Sequence, residues 1–128
     1  MRYLAVFLLL VLSACSLFGP SGPSYVVFFQ ERSAQLDAPA RRVVAQAAQR
    51  TNADPAARVE VSGYTDSAGS PQADVLLSQQ RAQAVADALV ASGVAADRLV
   101  RKGQGQTGGN PGVASRRVEI TVGDFSDF

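Results

Sequence analysis

Apolar and polar positions along the chain mark alternating strands and helices. Residues 25–29 form a β-branched and aromatic run between a Gly/Pro-rich stretch and polar residues, which predicts a buried strand. From residue 37 to about residue 50, apolar residues recur at helical spacing. Asp37 suits the N-cap of this helix, and Pro39 suits its first turn, where the missing N–H costs nothing. A strand followed by a helix is therefore predicted.

The rest of the chain predicts a second strand and helix, followed by two further strands. Residues 58–64 alternate polar and apolar side chains with period two, as a strand does. After a loop, residues 75–92 predict a long helix that ends at Gly93. Residues 98–103 predict a short strand and residues 116–122 a clearer final one. The apolar face predicted for the long helix consists of Leu77, Ala84, Val85, Ala88 and Leu89.

The order strand-helix-strand-helix-strand-strand predicts an α+β fold. Both helices are expected on one face of a mixed four-stranded sheet. The two helical crossovers imply some parallel pairing, and the last two strands, joined by a long loop, are expected to be antiparallel. The 128 residues suffice for one compact domain with a short appendage.

The N-terminus predicts a secretory signal. Arg2 precedes an apolar run over residues 3–12, which is shorter than the roughly 20 residues of a membrane-spanning helix. Residues 12–15, Leu-Ser-Ala-Cys, resemble the lipobox of bacterial lipoproteins. This resemblance implies that residues 1–14 are removed and that Cys15 carries acyl chains, which hold the protein in a membrane. Ser16, in place of aspartate, implies the outer membrane; the alternative is a free cysteine beside another cleavage site.

The mature chain is expected to have three parts. Residues 15–24 contain the lipidated cysteine and a Gly/Pro/Ser-rich linker, and nine extended residues keep the domain within roughly 30 Å of the membrane. Residues 25–123 form the folded domain. Residues 124–128 are interpreted as a disordered end, with a short docking segment as the alternative.

Composition excludes several classes of function. The chain has no histidine and one cysteine, which removes the common metal ligands, Ser-His and Cys-His nucleophile pairs, and an internal disulfide. Neither a metal nor another cofactor is expected. Twelve basic and eleven acidic residues give a net charge of +1, which argues against nucleic acid as a partner.

A candidate binding site follows the second predicted strand. Asp66 stands where this strand ends, and Arg81 emerges from the next helix. If the loop between them folds back, the carboxylate can take an ammonium and the guanidinium a carboxylate, so that together they bind an amino acid zwitterion. The alternative is an ion pair that only ties the loop to the helix.

Four segments resemble the OmpA-like peptidoglycan-binding domain. They are the Gly-Tyr-Thr-Asp motif at 63–66, the helical motif at 74–85, the Gly-x-Gly at 103–105 and the Ser-Arg-Arg-Val-Glu-Ile run at 115–120. The resemblance covers roughly residues 26–122. This family includes porin-type outer-membrane proteins, peptidoglycan-associated lipoproteins and flagellar stator proteins.

The resemblance implies non-covalent binding of the diaminopimelate in the peptidoglycan stem peptide. Asp66 is then expected to take the ammonium and Arg81 the carboxylate, with both at a loop mouth and outside the core. Thr65 and the backbone around Gly69 are expected to shape the pocket. The family also implies Tol-system periplasmic proteins as candidate partners.

The chain departs from the family pattern at three places. Asp74 replaces a common asparagine, and it is expected either to cap the helix or to bind ligand. Ser115 replaces the asparagine before Arg116 and Arg117, of which at most one can point into the pocket, because neighbouring strand residues face opposite sides. Gln-Glu-Arg at 30–32 replaces an aromatic residue and an aspartate at the pocket rim.

The sequence therefore predicts an outer-membrane lipoprotein that tethers the membrane to the cell wall. The alternative is an assembly subunit of an envelope complex that keeps the fold without binding peptidoglycan. An enzyme is not expected, because general acid-base chemistry could use only a carboxylate pair such as Asp66 and Asp74.

Overall fold

The computed structural model describes residues 22–66, 69–107 and 112–124. The predicted signal segment, Cys15 and most of the tail lie outside these residues. All six predicted elements are present in the predicted order, with two short 3-10 turns. They are β1 (Ser24–Phe28), α1 (Ala38–Asn52), β2 (Arg58–Thr65), α2 (Pro71–Ala91), β3 (Leu99–Gln106) and β4 (Arg117–Gly123). In the described part of the chain, neither helix is long and apolar enough to cross a membrane.

The sheet has the strand order β1-β4-β2-β3. β2 and β3 are parallel, and β4 is antiparallel to both of its neighbours, β1 and β2. The predicted α+β fold with a mixed four-stranded sheet is confirmed. The last two strands run in opposite directions as expected, but they do not pair, because β4 inserts between β1 and β2. Its central place agrees with the full burial of Val118 and Ile120.

One hydrophobic core lies between the sheet and the two helices. Val59 and Val61 of β2 contribute to it from the sheet. Val44 of α1 and Val85 of α2 contribute from the helices, so both helices pack on the same face, as predicted. The opposite face of the sheet has no helix over it among the described residues.

The helix ends follow their capping residues. The Asp37 carboxylate accepts a hydrogen bond from the Ala40 N–H at 2.9 Å, which confirms the predicted N-cap of α1. Helix α2 begins four residues earlier than predicted, because the Ser70 hydroxyl caps it and Pro71 occupies its first position. The expectation that Asp74 caps this helix is therefore wrong. Gly93, with φ of +97°, ends α2 as predicted.

The buried face of α2 is more polar than the apolar pattern predicts. Val85 and Leu89 are fully buried as expected, but Leu77, Ala84 and Ala88 are only half-buried. The buried positions also include Asp74, Ser78, Arg81, Ala82 and Ala86. Glycine in β2 permits this close packing, since a Cβ at Gly63 would lie 2.0 Å from the Ser78 carbonyl oxygen. The polar residues of α2 are thus held against the carboxyl ends of β2 and β3.

Candidate binding site

Arg81 is the largest fully buried side chain of the described domain, with 0% of its surface exposed. Its Nε donates to the Ser33 carbonyl at 2.8 Å, and its two terminal nitrogens donate to the carbonyls of Tyr64 and Gln30, each at 3.1 Å. The guanidinium also lies 5.3 Å from the ring centre of Phe29. The expectation that Arg81 lies at a loop mouth, outside the core, is therefore wrong. It is a buried clamp that joins α2 to the end of β2 and to the 30–33 loop.

Asp66 forms its ion pair with Arg116. The Asp66 carboxylate lies 3.4 Å from an Arg116 terminal nitrogen, and the two side chains are 10% and 16% exposed. Arg116 also donates through Nε to the Phe29 carbonyl at 3.2 Å. Asp66 is thus near Arg81 in the fold, as predicted, but its direct partner is Arg116, the residue immediately before β4.

The adjacent arginines of this segment face opposite sides, as the strand period requires. Arg116 points toward Asp66, whereas the guanidinium of Arg117 lies 4.4 Å from the ring centre of Tyr64. Arg116 is therefore the member of the pair that belongs to the site.

Charge and burial act together on Arg81. Burial lowers the pKa of its guanidinium, the negative charge of Asp66 partly offsets this effect, and the positive charge of Arg116 lowers the pKa further. Two guanidinium groups thus face one carboxylate. This excess of positive charge favours a ligand that brings a carboxylate of its own.

Thr65 and Gly69 lie on the two sides of Asp66 in the sequence, and their role in shaping the pocket stays a prediction. The Thr65 side chain is fully buried, and its hydroxyl finds no hydrogen-bond partner in the described segments of the chain. A Cβ at the exposed Gly69 would lie 3.5 Å from an Asp74 carboxylate oxygen, an ordinary contact. Gly69 therefore lies beside Asp74, while residues 67–68 between it and Asp66 lie outside the described part.

Asp74 is buried in the first turn of α2, with 3% of its surface exposed. Its carboxylate accepts a hydrogen bond at 2.6 Å from the side-chain amide of Gln106, the last residue of β3. The negative charge also lies near the positive end of the helix dipole. Asp74 thus joins α2 to β3 on one side of the site, and whether it also meets a ligand stays a prediction.

The 30–33 loop lies next to Arg81, and its role as a pocket rim stays a prediction. Two of the carbonyls bound by Arg81, those of Gln30 and Ser33, belong to this turn. Glu31 and Arg32 are exposed, and Arg32 has a φ of +56°, in the left-handed region that non-glycine residues seldom adopt. The clamp therefore fixes a turn that the chain would not readily keep by itself.

Comparison with known proteins places this arrangement in a family. The model of the OmpA family matches residues 28–118. The chain belongs to the OmpA family. The matched segment runs from the last residue of β1 into β4 and includes Asp66, Arg81 and Arg116.

Relatives in bacteria match part of this chain in sequence. The peptidoglycan-binding protein ArfA of Mycobacterium bovis is 43% identical over 90 residues, which cover 62% of this chain and 27% of ArfA. The probable lipoprotein YiaD of Escherichia coli is 45% identical over 78 residues, which cover 53% of this chain and 34% of YiaD. The chain thus spans about a quarter to a third of the length of these two relatives.

A solved structure confirms the fold independently. The peptidoglycan-associated lipoprotein from Burkholderia pseudomallei superimposes with a TM-score of 0.67 at 22% identity, over 77% of this chain and 87% of the other. At this identity the likeness concerns the fold alone.

The sequence did not predict Gln106 as a residue of the site, and it did not decide whether Arg116 or Arg117 belongs there. Gln106 lies in a loop-like Gly/Gln-rich stretch, and nothing local indicates that its amide reaches Asp74. The sequence predicted that at most one of the two neighbouring arginines, Arg116 or Arg117, points into the site, but not which one. A strand pattern shows that neighbouring side chains face opposite sides of the sheet, but it does not show which side faces the site. The family motif at 115–120 was the signal that could have favoured it.

Proposed function

We propose that this protein binds peptidoglycan non-covalently through the diaminopimelate of the stem peptide. The observation that carries this proposal is the shielded ion pair of Asp66 and Arg116, with Arg81 fixed beneath it. A 3.4 Å contact is loose for a charge-assisted hydrogen bond, so a zwitterion can enter between the partners at modest cost. Asp66 then takes the ligand ammonium and Arg116 its carboxylate.

In this proposal Arg81 acts mainly as a positioning residue. Three of its N–H groups are already bound to backbone carbonyls, and none of its surface is exposed. It holds the Tyr64 carbonyl, two residues before Asp66, and adds positive charge behind the ligand carboxylate. Thr65 and Asp74 line the buried side of the same pocket, and Gly69 leaves its mouth open.

The proposal extends to the place of the protein in the cell. With acyl chains on Cys15 the domain is a lipid-anchored outer-membrane protein in the periplasm that tethers membrane to wall. Weak individual sites suffice, because many copies facing one polymer raise the effective concentration. The lipobox-like residues 12–15 support the lipid anchor. The relative ArfA is named a peptidoglycan-binding protein, which agrees with wall binding, and the relative YiaD is named a probable lipoprotein, which agrees with the anchor. Tol-system periplasmic proteins remain candidate partners.

Co-sedimentation tests the proposal. The full chain in detergent is mixed with sacculi that contain diaminopimelate, and bound protein is quantified with the variants Asp66→Asn and Arg116→Gln alongside. Each variant is expected to lose at least about tenfold in affinity, because it removes one partner of a shielded charge pair. Arg101→Gln, on the exposed edge strand β3, is the matched control and should bind like the parent.

Free meso-diaminopimelate should compete with the parent for the wall. Unchanged sedimentation of Asp66→Asn would refute the assigned role of the carboxylate. Absence of binding by the parent would favour the alternative, an assembly subunit that retains the fold alone.

A further inference from the structure

A row of three side chains crosses the face of the sheet that the helices leave open. Phe28 of β1 pairs with Arg117 of β4, and the Arg117 guanidinium lies 4.4 Å from the ring centre of Tyr64 on β2. The alternation of each strand places all three on this face, since Val27, Val118 and Gly63 point toward the helices. We call Phe28, Arg117 and Tyr64 the open-face row.

The open-face row is continuous with the candidate site. Phe28 precedes Phe29, whose carbonyl binds Arg116; Arg117 follows Arg116; and Tyr64 stands two residues before Asp66. At about 3.3 Å per strand residue, the row begins within about 7 Å of the site along the backbone. A ligand held by Asp66 and Arg116 can therefore reach the row around the end of the sheet.

The row is exposed at Phe28 and held in place at Arg117. Phe28 is 48% exposed, whereas Tyr64 and Arg117 are half-buried. Arg117 donates to the Glu119 carboxylate at 2.9 Å and to the Ala114 carbonyl at 2.8 Å, so its plane is fixed against Tyr64. Arg117 therefore loses little side-chain freedom on binding, and Phe28 supplies the exposed aromatic surface.

The charges around the row are balanced. Arg117 is paired with Glu119, and Lys102 of β3 is paired with Glu60 of β2 at 3.1 Å. Such a surface attracts neither a polyanion nor an anionic lipid layer. It suits a neutral, polar ligand that has an apolar face for Phe28 and hydroxyl or amide groups for the flanking charged side chains.

We propose that the open-face row binds the saccharide of the glycan strand to which the stem peptide is attached. This inference rests on the proposed function, because the peptide site brings the sugar to the row. A pyranose ring has a face of C–H bonds that packs on an aromatic ring, and its N-acetyl and hydroxyl groups hydrogen-bond to groups such as Glu119. The two stem-peptide residues between diaminopimelate and the sugar span up to about 7 Å when extended, and the diaminopimelate side chain adds to this reach, so the linkage is long enough to bring the sugar to the row.

Calorimetric titration of the full chain in detergent tests the inference with two ligands. One is the tripeptide that ends in diaminopimelate, and the other is the same tripeptide attached to its disaccharide. We expect the disaccharide-tripeptide to bind the parent about three- to tenfold more tightly than the tripeptide. Phe28→Ser should abolish this difference and leave tripeptide affinity unchanged, which also verifies that the variant is folded.

Two control variants sharpen the comparison. Phe28→Tyr keeps the ring and should retain the difference, while Val26→Ser, two residues along the same exposed side of β1, should leave both affinities as in the parent. Equal affinity of the parent for both ligands, or equal weakening of both by Phe28→Ser, overturns the saccharide role. A dimer of the parent that Phe28→Ser converts to a monomer in sedimentation would instead assign the row to contacts between copies.

The outcome also separates this inference from the proposed function. Tripeptide binding by the parent tests the site of Asp66 and Arg116 alone. If the tripeptide binds and the disaccharide adds nothing, the proposed function stands and the saccharide role fails. If neither ligand binds, both fail.

Discussion

Replacing Arg81 tests the central feature of the site. Arg81→Ala leaves three backbone carbonyls, those of Gln30, Ser33 and Tyr64, without their donor. Each buried carbonyl that loses its partner costs about 1–3 kcal/mol, and truncating a large buried side chain adds a cavity. The alanine variant no longer has to bury a charged guanidinium, and this saving in desolvation free energy offsets part of the cost. The expected net loss is about 3–5 kcal/mol in the free energy of unfolding, a large share of the roughly 5–15 kcal/mol typical of a domain.

Urea unfolding followed by circular dichroism measures this loss. Arg81→Lys keeps a charge but cannot span three carbonyls with a planar fork, so it should fall between the parent and the alanine variant. Arg101→Gln is the control, because Arg101 is exposed on β3 and its replacement should leave the free energy of unfolding within about 0.5 kcal/mol of the parent. An Arg81→Ala variant as stable as Arg101→Gln would refute the clamp. It would then favour a role for Arg81 in ligand contact alone, as the sequence predicts.

Two further predictions concern the anchor and Tyr64. Cys15→Ser should move the protein from the membrane to the soluble fraction of the periplasm, and continued membrane association on fractionation would rule out the lipid anchor. Burial raises the pKa of Tyr64 above its usual value of about 10, and the negative charge of Glu119 is the second largest cause of this increase. The folded state therefore holds the phenol proton more tightly than the unfolded chain does. Stability should therefore fall as the pH rises through about 10, and Tyr64→Phe should show a smaller fall in its urea midpoint between pH 8 and pH 11. An equal fall in both proteins would contradict this assignment.

The strands and helices were predictable because their signals are local. The alternation at residues 58–64 and the cap at Asp37 each depend on neighbours within one or two turns. The start of α2 was missed because Ser70 and Pro71 lie in a stretch whose composition resembles a loop. The place of β4 in the sheet was missed because strand pairing depends on contacts far apart in the sequence, which no local period encodes.

Part of the membership of the candidate site was predictable, but the roles of its residues were not. Motif spacing brought Asp66 and Arg81 to one region, and the structure places them there. Apolar periodicity could not show that Arg81 is buried, since its partners at Ser33 and Gln30 are 48 and 51 residues away. A charged residue on a helix is expected at the surface, because burying a charge without partners is costly. Arg81 can be buried only because carbonyls from distant parts of the sequence accept its hydrogen bonds.

The use of two arginines resolves a conflict between rigidity and binding. A cation that satisfies three backbone carbonyls stabilises the loops but has few donors left for a ligand. A cation that reaches the ligand must give up its resting partner, so it cannot also be essential to the fold. Arg81 meets the first requirement from inside α2, and Arg116 meets the second with a loose 3.4 Å contact to Asp66. Separating the two tasks lets the pair of Asp66 and Arg116 open for a zwitterion while the loops around it stay fixed.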